Sequence, residues 1–274
     1  MTTLTSPAPP ATGRATSTPR AAVVGPLRSI GTMVRRETRR NLRSLDGLIT
    51  AFVLPIAIMT VFVVIFGGAI SGGDGDYINY VVPGVLVMCI GFGAATTAVS
   101  VAQDLTSGTI DRFKTLPIHA SSVLWGHVLA STVRNLASVA VTIGVAYALG
   151  FRADAGLGDW FAVAGYAAVM ALTFAWFSAA AGLVMSVEAA QSLNMVFLFL
   201  PYVSSGYVPI ETLPTWLHGF AENQPFTPII ETLRDLLAGG ATAGNLVPAL
   251  AWLGGVLLVS SVGAAVAFGR RRAR

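Results

Sequence analysis

Six long apolar runs, separated by short polar connections, set the architecture available to this chain. They are Leu48–Ile70, Tyr80–Ala102, Leu129–Phe151, Trp160–Met185, Ala189–Val208 and Leu246–Gly269. A membrane core about 30 Å thick is crossed by roughly 20 helical residues, and each run reaches that length. Of the 274 residues, 54% are hydrophobic and only 11% are charged. A soluble domain carries about 25% charged residues, so a water-exposed surface for a fold of this size is excluded. The fold class is therefore an all-α polytopic membrane protein with six transmembrane helices.

The basic residues orient the spans. Eight arginines, from Arg14 to Arg43, precede the first run, and Arg270, Arg271, Arg272 and Arg274 follow the last. Arg112 and Lys114 lie between the second and third runs. With six spans these fourteen residues share one side, leaving Arg152 and Arg234 opposite among Asp74, Asp76, Asp154, Asp159, Glu211, Glu222, Glu231 and Asp235. Basic loops stay cytosolic, so both termini are expected in the cytosol of a multi-pass protein in the cell membrane. This asymmetry also accounts for the net charge of +4, and no nucleic-acid partner is called for. Membrane lipids are the expected surroundings. Residues 1–26 are rich in Thr, Ala and Pro, lack the apolar core of a signal peptide, and read as a disordered cytosolic tail; the membrane domain is expected over 27–274. Within it, Met33–Leu45 spaces apolar residues among arginines, the pattern of an interfacial helix on anionic headgroups or of a solvated flank.

The segment between the fifth and sixth runs is patterned as well. Leu213, Trp216, Leu217 and Phe220 recur at helical spacing, with Pro214 suited to a first turn. Phe226, Ile229, Ile230, Leu233, Leu236 and Leu237 form a second stripe, with Thr227 and Pro228 reading as its N-cap and first position and Gly239–Gly240 as its stop. Asn223, Gln224 and Pro225 read as the intervening turn. Two short amphipathic helices are expected at the outer face, either dipping between the spans in re-entrant fashion or lying flat on the leaflet.

Catalytic constellations are missing. Gly108 to Thr115 approaches the phosphate-cradling pattern GxxxxGK[ST], but Phe113 stands where the second glycine must let backbone amides approach a phosphate. The sequence has neither HExxH nor GxSxG, and His119, His127 and His218 offer no metal-ligand spacing. The single Cys89 excludes an internal disulfide. No catalytic or metal residue is expected, and the chain is not expected to be an enzyme. Polar residues inside the runs stand out: Arg134 and Asn135 in the first turns of the third, and Glu188, Gln191 and Asn194 on one broad face of the fifth. They are candidates for a hydrophilic pathway; the structural alternative is a snorkelling arginine and inter-helix hydrogen bonds. The aromatics Phe174, Trp176, Phe177, Phe197, Phe199 and Tyr202 suit either a greasy path or ordinary packing.

Two motifs carry a resemblance. The loop reads Gly108-Thr109, then Asp111-Arg112-Phe113-Lys114-Thr115-Leu116-Pro117, similar to D-R-F-[RK]-[ST]-L-P. The later segment Val208–Leu217 is similar to P-x-E-x-[ML]-P-x-W-L through Pro209, Glu211, Pro214 and Trp216. It continues as Phe220–Pro225, similar to F-A-[ED]-x-[QN]-P through Glu222, Gln224 and Pro225. In this order, over about residues 27–270, the chain resembles the permease subunit of ABC type-2 exporters, in their daunorubicin-resistance branch. The resemblance implies a dimer with a second permease copy or a paralogue, resting on two cytosolic ABC ATPase subunits that bind the ATP and magnesium; no cofactor is expected in this chain. It implies that Asp104, Gly108, Thr109, Asp111, Arg112, Phe113, Lys114, Leu116 and Pro117 form the loop that couples to the ATPase. The implied activity is export of a hydrophobic or amphiphilic drug, natural product or lipid by alternating access. An ion-gradient-driven secondary transporter is the alternative, although no internal repeat is apparent.

Overall fold

The computed structural model describes residues 25–43, 45–67, 77–109, 121–240 and 242–272. Among these every regular element is a helix. Helix α1 covers Pro26–Arg43 and α2 covers Leu45–Val61, continuing into a π-helical turn at Phe62–Phe66. Then come α3 (Tyr77–Thr106), α4 (Ser121–Ala148), α5 (Leu157–Gly182) and α6 (Val187–Phe199). Short 3₁₀ turns at Leu200–Val203 and Ile210–Thr212 lead to α7 (Thr215–Asn223), α8 (Phe226–Leu237) and α9 (Ala243–Arg272).

Four helices, α3, α4, α5 and α9, are long and apolar enough to cross a membrane. Two shorter apolar helices lie at Phe52–Ile65 and Val187–Val203. The protein is thus a polytopic helical membrane protein, and among the described residues four of the six expected spans meet the length criterion. The first expected run, Leu48–Ile70, begins earlier, at Leu45, and its residues 68–70 lie outside the described part. The fifth is shortened for a physical reason. Pro201 has no N–H to continue the ladder, so the helix tightens after Phe199, and Ser204 is already extended.

The core sits on α3. This helix is apolar on every side and correspondingly buried on every side: Val81, Val82, Val85, Val87, Ile90, Ala94 and Ala95 are sealed. It packs against α2, α4, α5, α6 and α8. Close approach needs glycine at specific points. A Cβ on Gly84 would collide with the backbone of Gly206, and one on Gly91 with the Phe197 ring. By contrast α9 shows Val247, Trp252, Leu258, Val259 and Val262 outward, a surface that suits lipid.

Successive apolar helices alternate in direction. The end of α2 meets the turn after α6, where Phe62 stacks on Tyr207 with centroids 4.6 Å apart. Asp104, near the end of α3, meets His127, near the start of α4. The end of α5 packs on Ala98 and Val101 of α3. The bundle therefore has two ends, one carrying α1 and the other carrying α7 and α8.

At the α1 end, α1 starts at Pro26 rather than near Met33. Its face of Ser29, Met33 and Glu37 is buried while Arg35 and Arg39 are exposed. The helix docks on α4 where Gly126 leaves room: a Cβ there would lie 2.6 Å from that of Met33. Because α1 covers this flank, α4 starts eight residues before the expected Leu129. Arg134 consequently stands well inside the helix, not in its first turns.

At the opposite end, α8 is wedged against α3, α5 and α9, with its apolar stripe from Phe226 to Leu237 buried. Helix α7 keeps Trp216 and Phe220 exposed. Thr227 is not an N-cap. Pro225 precedes the helix, and the Thr227 hydroxyl donates to the Ala221 carbonyl at 2.6 Å. The expected stop is present, with Gly239 at φ +97 and Gly240 at φ +159.

Candidate functional site

The α1 end gathers charge from three helices. Asp104 of α3, Glu37 of α1 and His127 of α4 are each at most 4% exposed. Asp104 accepts a hydrogen bond from Arg40 Nη1 at 3.0 Å, and its other oxygen lies 3.1 Å from His127 Nε2 and 3.5 Å from Arg36 Nη1. Glu37 pairs with Arg36 and lies 3.6 Å from His127 Nδ1. The imidazole therefore stands between two carboxylates, each also facing a guanidinium. Burying a carboxylate requires this degree of pairing. The donor atoms of Glu37, Asp104 and His127 lie within 4.8 Å of one another, a spacing that suits a cation. The carboxylate oxygens nonetheless already face Arg36 and Arg40, so the network balances itself without one.

This cluster joins α1 to the last turns of α3, directly before the loop with the D-R-F-K-T-L-P motif. Asp104 thus acts as an anchor inside a helix rather than as a loop residue. Gly108 turns the chain at φ +68, and the Thr109 hydroxyl lies 2.8 Å from that of Ser107. Asp111, Arg112, Phe113, Lys114, Leu116 and Pro117 lie outside the described residues. Glu37 escaped the sequence reading, and His127 was set aside there as offering no metal-ligand spacing. A signal was available for one of them: Glu37 is the only acidic residue in an otherwise basic helix.

The pathway candidates divide into two groups. Arg134 Nη2 donates to the Gly93 carbonyl and to Thr96 Oγ1, both at 2.6 Å, and reaches Ser131 Oγ at 3.5 Å. Asn135 donates to the Ile90 carbonyl at 3.2 Å, while its own carbonyl is buried without a partner. Both residues sit on the α3–α4 seam. Glu188 and Gln191 project outward from α6, and Asn194 is half-buried with an unpartnered carbonyl. Of the aromatics, Phe174, Phe197 and Phe226 pack together in the core at centroid distances of 5.3–6.4 Å, and Trp176 meets Trp125 edge-on.

At the far end the motif residues build a structural cap. Pro209 and Pro214 each precede a short helix; Glu211, Trp216 and Glu222 are exposed. Gln224 is buried and donates to Thr227 Oγ1 at 3.2 Å, and Pro225 opens α8. Arg234, which the sequence reading counted only as a basic residue on the acidic side, ties this cap to α3. Its Nη2 donates to the carbonyls of Ser205 (2.7 Å) and Tyr80 (3.2 Å), its plane lies 3.9 Å from the Tyr80 ring centroid, and Nη1 pairs with Glu231. Tyr77 and Tyr80 donate their hydroxyls to the carbonyls of Tyr207 and Ser205, both at 3.0 Å.

A helical bundle with a charged clamp at one end and an amphipathic cap at the other defines a multi-helix membrane protein. Residues 28–238 match the ABC-2 type transporter family, and the chain belongs to it. It is 30% identical, over 81% of its length and 76% of the relative's, to the daunorubicin resistance ABC transporter permease protein DrrB1 of Streptomyces coeruleorubidus. It is 29% identical, over 81% of its length and 82% of the relative's, to the probable doxorubicin resistance ABC transporter permease protein DrrC of Mycobacterium tuberculosis. A more distant likeness, 26% over 61% of this chain and 23% of the relative, is to ABC transporter G family member 20 of Dictyostelium discoideum.

Proposed function

We propose that this protein is the permease subunit of an ATP-driven exporter of hydrophobic or amphiphilic compounds, a drug, natural product or lipid. The family match over residues 28–238, with relatives named for daunorubicin and doxorubicin resistance, carries the reading. In it α2, with its π turn, and α6, with its 3₁₀ extension, complete six spans, and the α1 end faces the cytosol of a cell-membrane protein. Two copies, or this chain and a paralogue, pair over two ABC ATPase subunits that bind ATP and magnesium. The loop from Gly108 to Pro117 docks on the ATPase. The Glu37–Asp104–His127 network supports this placement, because it makes α1, α3 and α4 one rigid body next to that loop. Alternating access then follows from a difference in ATPase affinity between two permease states. About 5.5 kcal/mol moves such an equilibrium from 1:99 to 99:1.

The test is reconstitution in liposomes, with a fluorescent anthracycline as cargo, of the chain alone and together with a partner ABC ATPase. Transport is expected only with the ATPase and ATP. Transport by the chain alone that ignores ATP and collapses with the proton gradient would overturn the reading in favour of a secondary transporter.

A further inference from the structure

We propose that Arg134 is the recognition group of an anion site on the α3–α4 seam, which takes the oxyanion of an amphiphile: a carboxylate, sulfonate or phosphodiester. The inference rests on the exporter reading only for the suggestion that this amphiphile is cargo. A guanidinium carries five N–H donors. Every hydrogen bond Arg134 makes to the described residues comes from Nη2; Nη1 bonds to none of them, and Nε is buried without a partner. No carboxylate among the described residues lies within 4 Å of it. The field of Glu37 reaches it, but Glu37 is already engaged by Arg36.

The charge around it is unbalanced. Arg36, Arg40 and Arg134 set three guanidiniums against the two carboxylates of Glu37 and Asp104. Among the described residues one positive charge is left over. Depth sharpens the point. At 1.5 Å per residue, Arg134 lies about 10 Å further along α4 than His127, on the seam between two helices that are long and apolar enough to cross a membrane. An unpaired cation in such surroundings is costly, and intramembrane charges face protein or a water-filled cavity. The hydroxyls of Thr96 and Ser131 and the carbonyl of Gly93 hold the guanidinium in place without neutralising it. Serving only as a helix–helix tie would not require a charge, since a glutamine could donate to the same acceptors. The ligand that uses what remains is a single negative charge on an apolar body able to enter from the membrane.

The experiment uses the permease with its ATPase in nanodiscs of phosphatidylcholine. Two probes share one tail, pyrene-decyl sulfonate and the neutral pyrene-decyl carboxamide, and binding is read by energy transfer from tryptophan after subtraction of empty nanodiscs. The wild type is expected to hold the sulfonate about tenfold more tightly than the carboxamide, the size of one charge-assisted hydrogen bond. Arg134→Gln is expected to abolish that preference, and Arg134→Lys to retain part of it. Equal affinity for the two probes in the wild type, or an unchanged preference in Arg134→Gln, overturns the site. A second measurement needs no variant. Sulfonate displaced selectively by added phosphatidylglycerol identifies a lipid headgroup as occupant; sulfonate-stimulated ATP hydrolysis that phosphatidylglycerol leaves unchanged identifies cargo; neither effect overturns the proposal. Chain-dependent ATP hydrolysis is measured in the same samples, so loss of the anion preference with hydrolysis intact removes this site and leaves the exporter reading standing.

Discussion

Replacing Asp104 by asparagine tests whether the α1 clamp is held by its buried charge. The change keeps the shape of the side chain and removes one negative charge from a site 4% exposed. Its interactions differ in worth. Arg36 and Arg40 are 35% and 39% exposed at their side chains, so solvent screens them and each pair is worth less than about 1 kcal/mol. The bond to His127 is sealed on both sides, and a hydrogen bond to a charged group is worth about 1.5–3 kcal/mol. That bond joins α3 to α4, however, and α1 reaches Asp104 only through its two screened pairs, so Asp104→Asn is expected to weaken docking of α1 by about 1 kcal/mol, close to fivefold in the undocking equilibrium. Hydrogen–deuterium exchange over Pro26–Arg43 in nanodiscs reads this directly. Exchange of α1 should accelerate by about fivefold while α5 and α9 stay unchanged, and Arg40→Gln, which removes one of the two pairs, should move it by roughly twofold. If Arg40→Gln matches Asp104→Asn, Arg40 alone holds α1 to Asp104 and the Arg36 pair contributes nothing. If neither variant moves α1, the network contributes nothing to docking and apolar contacts such as Met33 against Gly126 hold the helix alone.

Three further outcomes follow from named contacts. Gly84→Ala places a methyl group against the Gly206 backbone; overpacking costs about 1–3 kcal/mol, so the detergent-solubilised protein should melt several degrees lower, whereas Gly144→Ala, with open space around it, should not. Arg234→Gln removes two carbonyl hydrogen bonds and the stacking on Tyr80, a loss of about 2 kcal/mol; limited proteolysis should cut the segment from Ser204 to Gln224 faster, with the rest of the bundle resistant. Replacing Asp111 and Arg112 together by alanine should abolish permease-dependent stimulation of the partner ATPase while membrane insertion, read by fractionation, is retained; unchanged drug export by that variant would refute the coupling role.

The apolar runs were legible because hydropathy is local and needs no partner. The same locality explains the errors. The start of α4 was misjudged because Ser121, Ser122 and His127 look too polar for a span when α1, some ninety residues earlier in the chain, is left out of account. Thr227 looked like an N-cap because Thr-Pro is a common helix opening; the structure instead uses its hydroxyl to close the turn onto Ala221. The shortness of α6 was foreshadowed by Pro201, whose effect on the ladder is a backbone property visible in sequence.

The contacts that organise the two ends are different in kind. Arg40 with Asp104, Tyr77 with Tyr207 and Arg234 with Tyr80 join residues 64, 130 and 154 positions apart, and no periodicity encodes such a pairing. What sequence does encode is the anomaly each partner makes where it stands. Glu37 is the one acid among the arginines of α1, Arg134 the one charge in its apolar run, and Arg234 one of two basic residues on an otherwise acidic side. In a chain with so little charge, a residue of the wrong sign for its surroundings must be matched by something the fold brings to it. For Glu37 and Arg234 the matching groups lie within this chain. For Arg134 the described chain supplies hydroxyls and a carbonyl but no paired negative charge, and the same rule points to a partner that comes from the membrane.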